Sequence, residues 1–354
     1  MLDNVHSTSD SQTVSPAIFV RRSEPRPTAV FDTYWRFAAE RQNIYFRRLR
    51  GEQSPWTADK VLSEYKFTNV YRAADRTSQY LIRNVIYKQK YGIRDTSLRV
   101  LLFKIFNKTE TWELLENALG QICEATFDIH KIDAVLERAL ANKAAIYSAA
   151  YIMPSGSKAV RQTRKHRMHL QLLAKMLKDE LFERLASAKS MQNAFGLLLS
   201  YPSIGPFLAY QFVTDLNYSD HYFFSEMEFV EPGPGARDGL RKCFSSLGDY
   251  NEADAIRWVT DRQETEFKVR GLAFEYLWGR PLQLIDCQNI FCEVDKYARV
   301  AHPEVLGRSG RVRIKQHFSP KGVPLSAWFP PKWNLNDAVT LHSLKCGAIT
   351  TECQ

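Results

Sequence analysis

The sequence predicts a mainly α-helical fold, on three observations. Apolar residues recur at 3.6-residue spacing over most of residues 34–300. Alternating β-branched runs with Asn-Gly or Asp-Gly hairpin turns are nearly absent. Short stretches rich in Pro, Gly or Ser ("GEQSPWT", "MPSGSK", "YPSIGP", "VEPGPG", "WGRP") separate the periodic segments. There is no self-similarity at a 20–50-residue period, which argues against a solenoid. Composition does not shift within 31–333, so one helical domain is expected over 29–335. A Ser/Thr-rich tail expected to be disordered (1–28) precedes it, and a C-terminal tail (336–354) follows.

Taken in order, Tyr34–Arg50 places Trp35, Ala39, Phe46 and Leu49 on a core side and Arg36, Glu40, Asn43 and Arg47 on a polar stripe. Asp59–Lys90 reads as one long helix. At about 100° per residue, Asn69, Arg72, Asp75, Arg76, Gln79 and Arg83 fall in one arc, opposite Phe67, Val70, Tyr71, Ala74, Leu81 and Ile82. Leu98–Asn107, Thr111–Phe127 and Lys131–Tyr151 follow. Lys158–Ala188 is amphipathic, with Leu170, Leu173, Leu177 and Leu181 along its inner side. Met191–Leu199 and Gly205–Leu216 flank a Pro-bounded turn, and Ala236–Phe244, Ala253–Leu277 and Ile285–Val300 complete the set. "RVRIK" (Arg311–Lys315) and "WFPPKW" (Trp328–Trp333) are the places where short β segments are expected, in a fold with little or no sheet.

Composition narrows the function. The chain is 45% hydrophobic and 25% charged, as soluble globular proteins are, and no apolar run approaches the roughly 20 residues that cross a bilayer. The start lacks the basic-then-apolar pattern of a secretory signal. Six cysteines without a C-x-x-C pair read as reduced thiols, and an intracellular, non-membrane protein is expected. His166 and His169 in "HRMH" have no cysteine or carboxylate near them in sequence, so no metal site is expected. The net charge of +9 is concentrated in Lys158–Lys189, which holds nine Lys/Arg, Arg164, Lys165 and Arg167 among them, against three Asp/Glu. Such a face is either solvated or faces a polyanion.

The arc from Asn69 to Arg83 contains no Lys or Glu. It presents guanidiniums, amides and one carboxylate, groups suited to bidentate contacts. Arg72, Asp75 and Arg76 also stand at i,i+3 and i,i+4, where they can simply pair with one another. The residues alone leave both readings open.

Several longer segments resemble the helical domain of the 5-hydroxymethyl-deoxyuridine (5-hmdU) DNA kinase family, also described as α-glutamyl/putrescinyl thymine pyrophosphorylases. They are "FAAERQ" (Phe37–Gln42), "PWT" (Pro55–Thr57), "YKFTNVYRAADRTSQYLI" (Tyr65–Ile82), "GPFLAYQFVTDL" (Gly205–Leu216), "PGPGARDG" (Pro232–Gly239), "QNIFCEVDKYAR" (Gln288–Arg299), "RIKQ" (Arg313–Gln316) and "FPPKW" (Phe329–Trp333). The resemblance implies work on thymine-derived bases in DNA and, as partners, DNA carrying a modified thymine together with a kinase or base hydroxylase. On it Asn69, Arg72, Arg76, Gln79, Arg36, Gly205, Arg164, Lys165 and Arg167 are the expected nucleic-acid contacts. The helix–turn–helix at 201–209 is similar to the helix-hairpin-helix of DNA glycosylases, which grips a phosphate through backbone N–H groups. Ser203 replaces that motif's first glycine, Pro206 removes an N–H, and Phe207 stands where bifunctional glycosylases place a Schiff-base lysine. Base excision therefore fits less well than modification or binding.

Chemistry is sought in two further places. "DCQNIFCEVDKYARV" puts Gln288, Asp295 and Arg299 on one helix side and Asn289, Glu293 and Lys296 on another. Asp295, Lys296 and Glu293, with Asp215 from the preceding helical pair, are the candidate general base and phosphate clamp, or else members of surface salt-bridge ladders. "VEPGPGARDG" offers Gly233, Gly235 and Arg237 before a helix start, as an anion cradle or as an ordinary turn. Neither a Walker A loop nor the protein-kinase motif set occurs, so ATP with Mg²⁺ is expected only through a partner kinase and the cofactor is otherwise unassigned. Two function classes follow: a transferase-type or kinase-associated enzyme of DNA base modification, or a non-catalytic DNA-binding module that recruits one.

Overall fold

The computed structural model describes residues 23–149, 153–154, 164–319 and 327–342. The helices are α1 (Ala29–Leu49), α2 (Lys60–Glu64), α3 (Arg76–Tyr80), α4 (Ile93–Phe106), α5 (Thr109–Leu119), α6 (Ile129–Ala141) and α7 (Lys165–Lys178). They continue as α8 (Leu181–Ala186), α9 (Met191–Leu199), α10 (Pro206–Leu216), α11 (Pro234–Cys243), α12 (Glu252–Asp261), α13 (Gln263–Val269) and α14 (Leu284–Ala301). The fold is mainly α, as the periodicity predicts. The expected tails fall largely outside the described residues, as do residues 158–163 at the head of the predicted basic helix.

Local chemistry sets most helix ends. Thr28, Asp59, Asp128, Ser190 and Asn251 cap α1, α2, α6, α9 and α12 through side-chain oxygens. Asn107, Lys143 and Glu180 take left-handed backbone conformations. They end α4, stop the predicted Lys131–Tyr151 helix at Ala141, and divide α7 from α8. Likewise Gly120 closes α5, and Gly271 lies just beyond α13. α4 is buried on every side from Thr96 to Phe106, including Arg99 and Lys104, and so forms the centre of one half of the core. Arg99 is satisfied there by the carbonyls of Val85 and Ile122 and lies 4.9 Å from the Trp112 ring centroid. In the other half Tyr34 of α1 meets Phe291 of α14 at 4.5 Å between ring centroids, and α11 packs along α14.

The predicted Asp59–Lys90 helix is the main departure. After α2 the chain extends through Tyr65–Tyr71, makes a 3₁₀ turn at Arg72–Ala74, forms the short α3, and ends in a π-helical turn at Leu81–Ile86. Tertiary bonds outcompete the helix: Lys66 N–H donates to the Gln316 carbonyl (2.9 Å), Phe318 N–H to that of Glu64 (2.8 Å), and Thr68 N–H to the Glu293 carboxylate (3.0 Å). The arc of polar residues read from a helical wheel is thus not one surface. Arg311–Lys315 forms no strand and Trp328–Trp333 contains a 3₁₀ turn. The strand pair that does form joins β1 (Arg26–Pro27) to β2 (Phe244–Ser246), antiparallel. Beside it Thr28 donates its N–H to the Cys243 carbonyl (2.8 Å) and its hydroxyl to that of Lys242 (2.5 Å).

The α11–α14 approach depends on glycine. A Cβ at Gly239 would overlap the Phe291 carbonyl, which is backbone and cannot yield, and one at Gly235 would overlap the Cys292 sulfur. Gly239→Ala is therefore expected to cost about 1–3 kcal/mol, the range of core overpacking. Gly196→Ala, in a helix with open space around it, should be neutral or stabilise by up to about 1 kcal/mol. Thermal melting of the two variants side by side checks both signs.

Candidate functional site

Two polar assemblies form where the extended 65–75 segment crosses between α10 and α14. The first is sealed. Arg72, 2% exposed, donates from both terminal nitrogens to Asp215 of α10 (2.7 and 3.0 Å), and from Nε to Gln211 (2.9 Å). Tyr218 accepts a further bond from Nη1 (2.9 Å). Lys104 of α4 reaches the other side of Asp215 at 3.2 Å and donates to Asn107 at 2.8 Å. These two cations hold the Asp215 carboxyl below the usual range against the desolvation that would raise it. Desolvation lowers Lys104 in turn. The backbone N–H of Arg72 donates to Asp286 (2.9 Å), whose buried carboxyl is pushed up to about 6 by desolvation.

The second assembly is less saturated. Arg41 of α1, 7% exposed, donates from Nε to the Thr68 carbonyl (3.0 Å) and from Nη2 to Asn69 Oδ1 (2.6 Å), while its Nη1 is buried without an acceptor. Asn69 donates its N–H to Asp75 (2.7 Å) and its amide to the Ala74 carbonyl. Asn289 of α14 binds Thr68 and the Asn69 carbonyl, and Glu293 joins Thr68 N–H to Lys296 Nζ (2.6 Å). Asp75 is partly exposed at its rim yet enclosed by protein. Desolvation pushes its carboxyl up to about 7, against the lowering effects of Asn69 N–H, Arg41 and Arg72. A carboxyl that titrates near neutrality beside guanidinium groups can exchange protons.

A cavity of about 190 Å³ adjoins this assembly through Arg41, and Arg48, Trp56, Tyr65, Phe67 and Phe318 also line it. A larger open depression of about 730 Å³ is lined by Leu119, 125–131 and Ala174 and draws on none of these residues.

The predicted site residues do not share one place. Asn69, Glu293 and Lys296 come together in the second assembly, and Arg72 and Asp215 in the first. Asp295 faces away from both: it is 2% exposed, pairs with Lys242 of α11 (3.0 Å) and Arg299 (2.5 Å), and ties α11 to α14. Arg36 and Arg76 are exposed, whereas Gln79 bridges the Ala73 carbonyl and the Trp328 N–H. Gly205 caps α10 in an exposed turn in which Ser203 takes a left-handed φ of 66°. Arg164 pairs with Glu137, Arg167 with Asp133 and Glu137, and Lys165 lies over Tyr147, so part of the basic face is neutralised by α6. Gly233 precedes α11, Gly235 fits against Cys292, and Arg237 is engaged by Glu231 and Glu252.

His166, expected to lack carboxylates, meets Asp133 (2.7 Å) and Glu137, a grouping spaced for a cation but already held by Arg164 and Arg167. His169 instead bonds Tyr147 and the Pro154 carbonyl, and burial lowers it to about 4. The sequence-derived site lacks Arg41, Arg48 and Asp75. The first two lie on α1, one of them on its core side, and Asp75 reads in sequence as an ion-pair partner on a helix that does not form. No helix among the described residues is long and apolar enough to cross a membrane.

Comparison with known proteins gives a consistent picture. The family model described as "5-hmdU DNA kinase, helical domain" matches residues 28–307. The chain is 27% identical over 299 residues to the protein named 5-hmdU DNA kinase of Bacillus phage SP10. That alignment covers 78% of this chain and 46% of the relative, so the chain spans about half the length of the curated relative it matches. No solved structure matches the chain significantly.

Each assembly has its own signature in stability. Arg72→Met leaves Asp215 charged and buried with one fewer cation and should cost about 3–5 kcal/mol, read by denaturant unfolding. Asp75 titrates near 7 in the folded state and near 4 unfolded. Between those values the unfolded chain binds fewer protons, so Asp75 makes stability fall as pH rises. Asp75→Asn keeps the acceptor for Asn69 N–H and should flatten the decline in Tm from pH 4 to 7.

Proposed function

The chain belongs to the 5-hmdU DNA kinase helical-domain family, and from that premise we propose that it takes part in modifying 5-hydroxymethyluracil, or a related thymine-derived base, in DNA. The family match over 28–307 carries this reading, because it spans every residue of the Arg41–Asn69–Asp75–Glu293 assembly. Within that assembly Asp75 is the general base, taking a proton from a hydroxyl or amine nucleophile at neutral pH. Arg41 holds the negative charge that develops on substrate, and Asn69 orients the Asp75 carboxylate. Glu293 and Lys296 fix the 68–69 backbone on which the assembly stands.

The kinase name of the relative implies ATP with Mg²⁺. Among the described residues the only grouping of His and carboxylates spaced for a cation is engaged by arginines, and the sequence carries no phosphate-binding P-loop. With no P-loop in the sequence, we assign the phosphoryl donor to a partner kinase. One observation favours a second reading, a DNA-binding module that recruits the enzyme: in the partly exposed α9–α10 turn at 202–206 the N–H groups of Ser203 and Gly205 make no backbone hydrogen bond among the described residues and would be the ones to meet a DNA phosphate.

Incubating the full chain with 5-hmdU-containing duplex, ATP, Mg²⁺ and amino acids or polyamines, with and without a 5-hmdU kinase, tests the proposal by nucleoside mass spectrometry. A new base mass is expected, formed faster as pH rises through about 7, and reduced about 100-fold or more in Asp75→Asn. An unchanged base accompanied by salt-sensitive duplex binding assigns the chain to the recruiting module.

A further inference from the structure

The cavity beside the second assembly has a chemistry of its own. Its lining contains two arginines, Arg41 and Arg48, and no Asp or Glu. Arg41 Nη1 lacks an acceptor, and Arg48 forms no ion pair or side-chain hydrogen bond among the described residues. The Arg48 guanidinium instead lies 5.1 Å from the Trp56 ring centroid and 5.8 Å from that of Phe318. Arg41 has Asp75 and Glu293 as counter-charges but Arg48 has none among the described residues, and the two guanidiniums repel each other, so the cavity favours a ligand that carries negative charge.

The walls are aromatic and fixed. Trp56 donates its indole N–H to the Glu52 carbonyl (2.6 Å), and its own carbonyl accepts from Arg47 (2.5 Å). Tyr65 is bridged to His317, and the Phe318 N–H is tied to Glu64 (2.8 Å). At about 190 Å³ the cavity lies below the roughly 300 Å³ at which pockets begin to enclose drug-sized ligands. It suits one planar ring with a single charged group rather than a whole nucleoside triphosphate.

We propose that this cavity binds a single pyrimidine nucleotide, with the base ring against Trp56 and Phe67 and the phosphate on Arg41 and Arg48. Stacking on aromatic side chains beside arginines is the general means of holding one unstacked nucleotide. Through Arg41 the nucleotide would adjoin Asp75, so the inference deepens the base-modification reading and rests on it for the source of the nucleotide. That source is either an extruded residue of a DNA strand or a free mononucleotide.

Calorimetric titration of the full chain with thymidine 5′-monophosphate, thymidine, inorganic phosphate and single-stranded oligothymidine tests this. The monophosphate should bind about tenfold or more tightly than thymidine or phosphate alone. Arg48→Glu, at a partly exposed position, should weaken it by about tenfold or more with Tm unchanged, and Trp56→Ala by a similar factor with some loss of Tm because Trp56 also packs against the core. Oligothymidine competing with the monophosphate identifies a strand residue as the occupant, and binding of the monophosphate alone identifies a free nucleotide. Either result upholds the proposal. Equal affinity for thymidine and its monophosphate, or undiminished binding in Arg48→Glu, overturns it. If the monophosphate fails to bind while 5-hmdU DNA is still modified, the cavity assignment falls and the functional reading stands. Monophosphate binding without any modification of DNA leaves the cavity assignment standing and removes the functional reading.

Discussion

The fold is organised around one buried ion pair. Arg72 sits on a 3₁₀ turn rather than in a long helix, and its guanidinium is clasped by Asp215 of α10 with Lys104 of α4 on the far side. Its own N–H is fixed by Asp286 of α14. Three helices distant in sequence are therefore positioned by one side chain and its backbone. Such a pair adds little net stability over an apolar replacement, yet removing one member is costly, so it chiefly dictates which packing is allowed. By fixing Arg72 it also fixes Asn69 and Asp75, three residues to either side, against Arg41 and α14.

The contrast between the two assemblies explains why one is assigned to architecture and the other to chemistry. Asp215 is charged, enclosed and matched by cations, which leaves it no proton to exchange near neutral pH. Asp75 has weaker compensation and titrates where a base is useful. Arg41 spans the difference: two of its nitrogens build the 68–69 corner and the third is left without an acceptor beside an aromatic cavity. Asp295, which sequence spacing places among catalytic candidates, ties α11 to α14, since Lys242 pairs with one of its oxygens and Arg299 with the other.

Much of this is legible in the sequence. Helical class, most helix positions and the two faces of α14 follow from periodicity, and the separation of Glu293 and Lys296 from Asp295 and Arg299 is the one seen. The family segments carry Asn69, Arg72 and Asp75. What periodicity does not record is competition from distant backbone. Residues 65–71 have an acceptable helical pattern, but they bond to 316–318 and Glu293 instead, which turns an expected reading surface into a buried crossing. Helical periodicity places Asp75 in a polar arc on a helix that does not form, so its enclosure beside Arg41 is not visible in the sequence. Arg41 is hidden for another reason: it sits on the core side of α1, where a charged residue gains meaning only once its unfilled surroundings are seen. The close packing behind Gly235 and Gly239 is equally out of reach, because a glycine before or in a helix reads the same whether it faces a ligand or a neighbouring helix.

The contact between the start of α1 and the end of α11 has a consequence in time. Thr28 caps α1 and is itself held by the carbonyls of Lys242 and Cys243, more than two hundred residues later. On a ribosome adding about 5–20 residues per second, the first helix would wait roughly ten to forty seconds for that anchor. Until the chain from α11 to α14 emerges, the Tyr34–Trp35–Phe31 face lacks its partners Phe244, Trp258, Phe267 and Phe291. A fold whose first helix is completed by its last long one is ordered late, as a whole, rather than from its beginning.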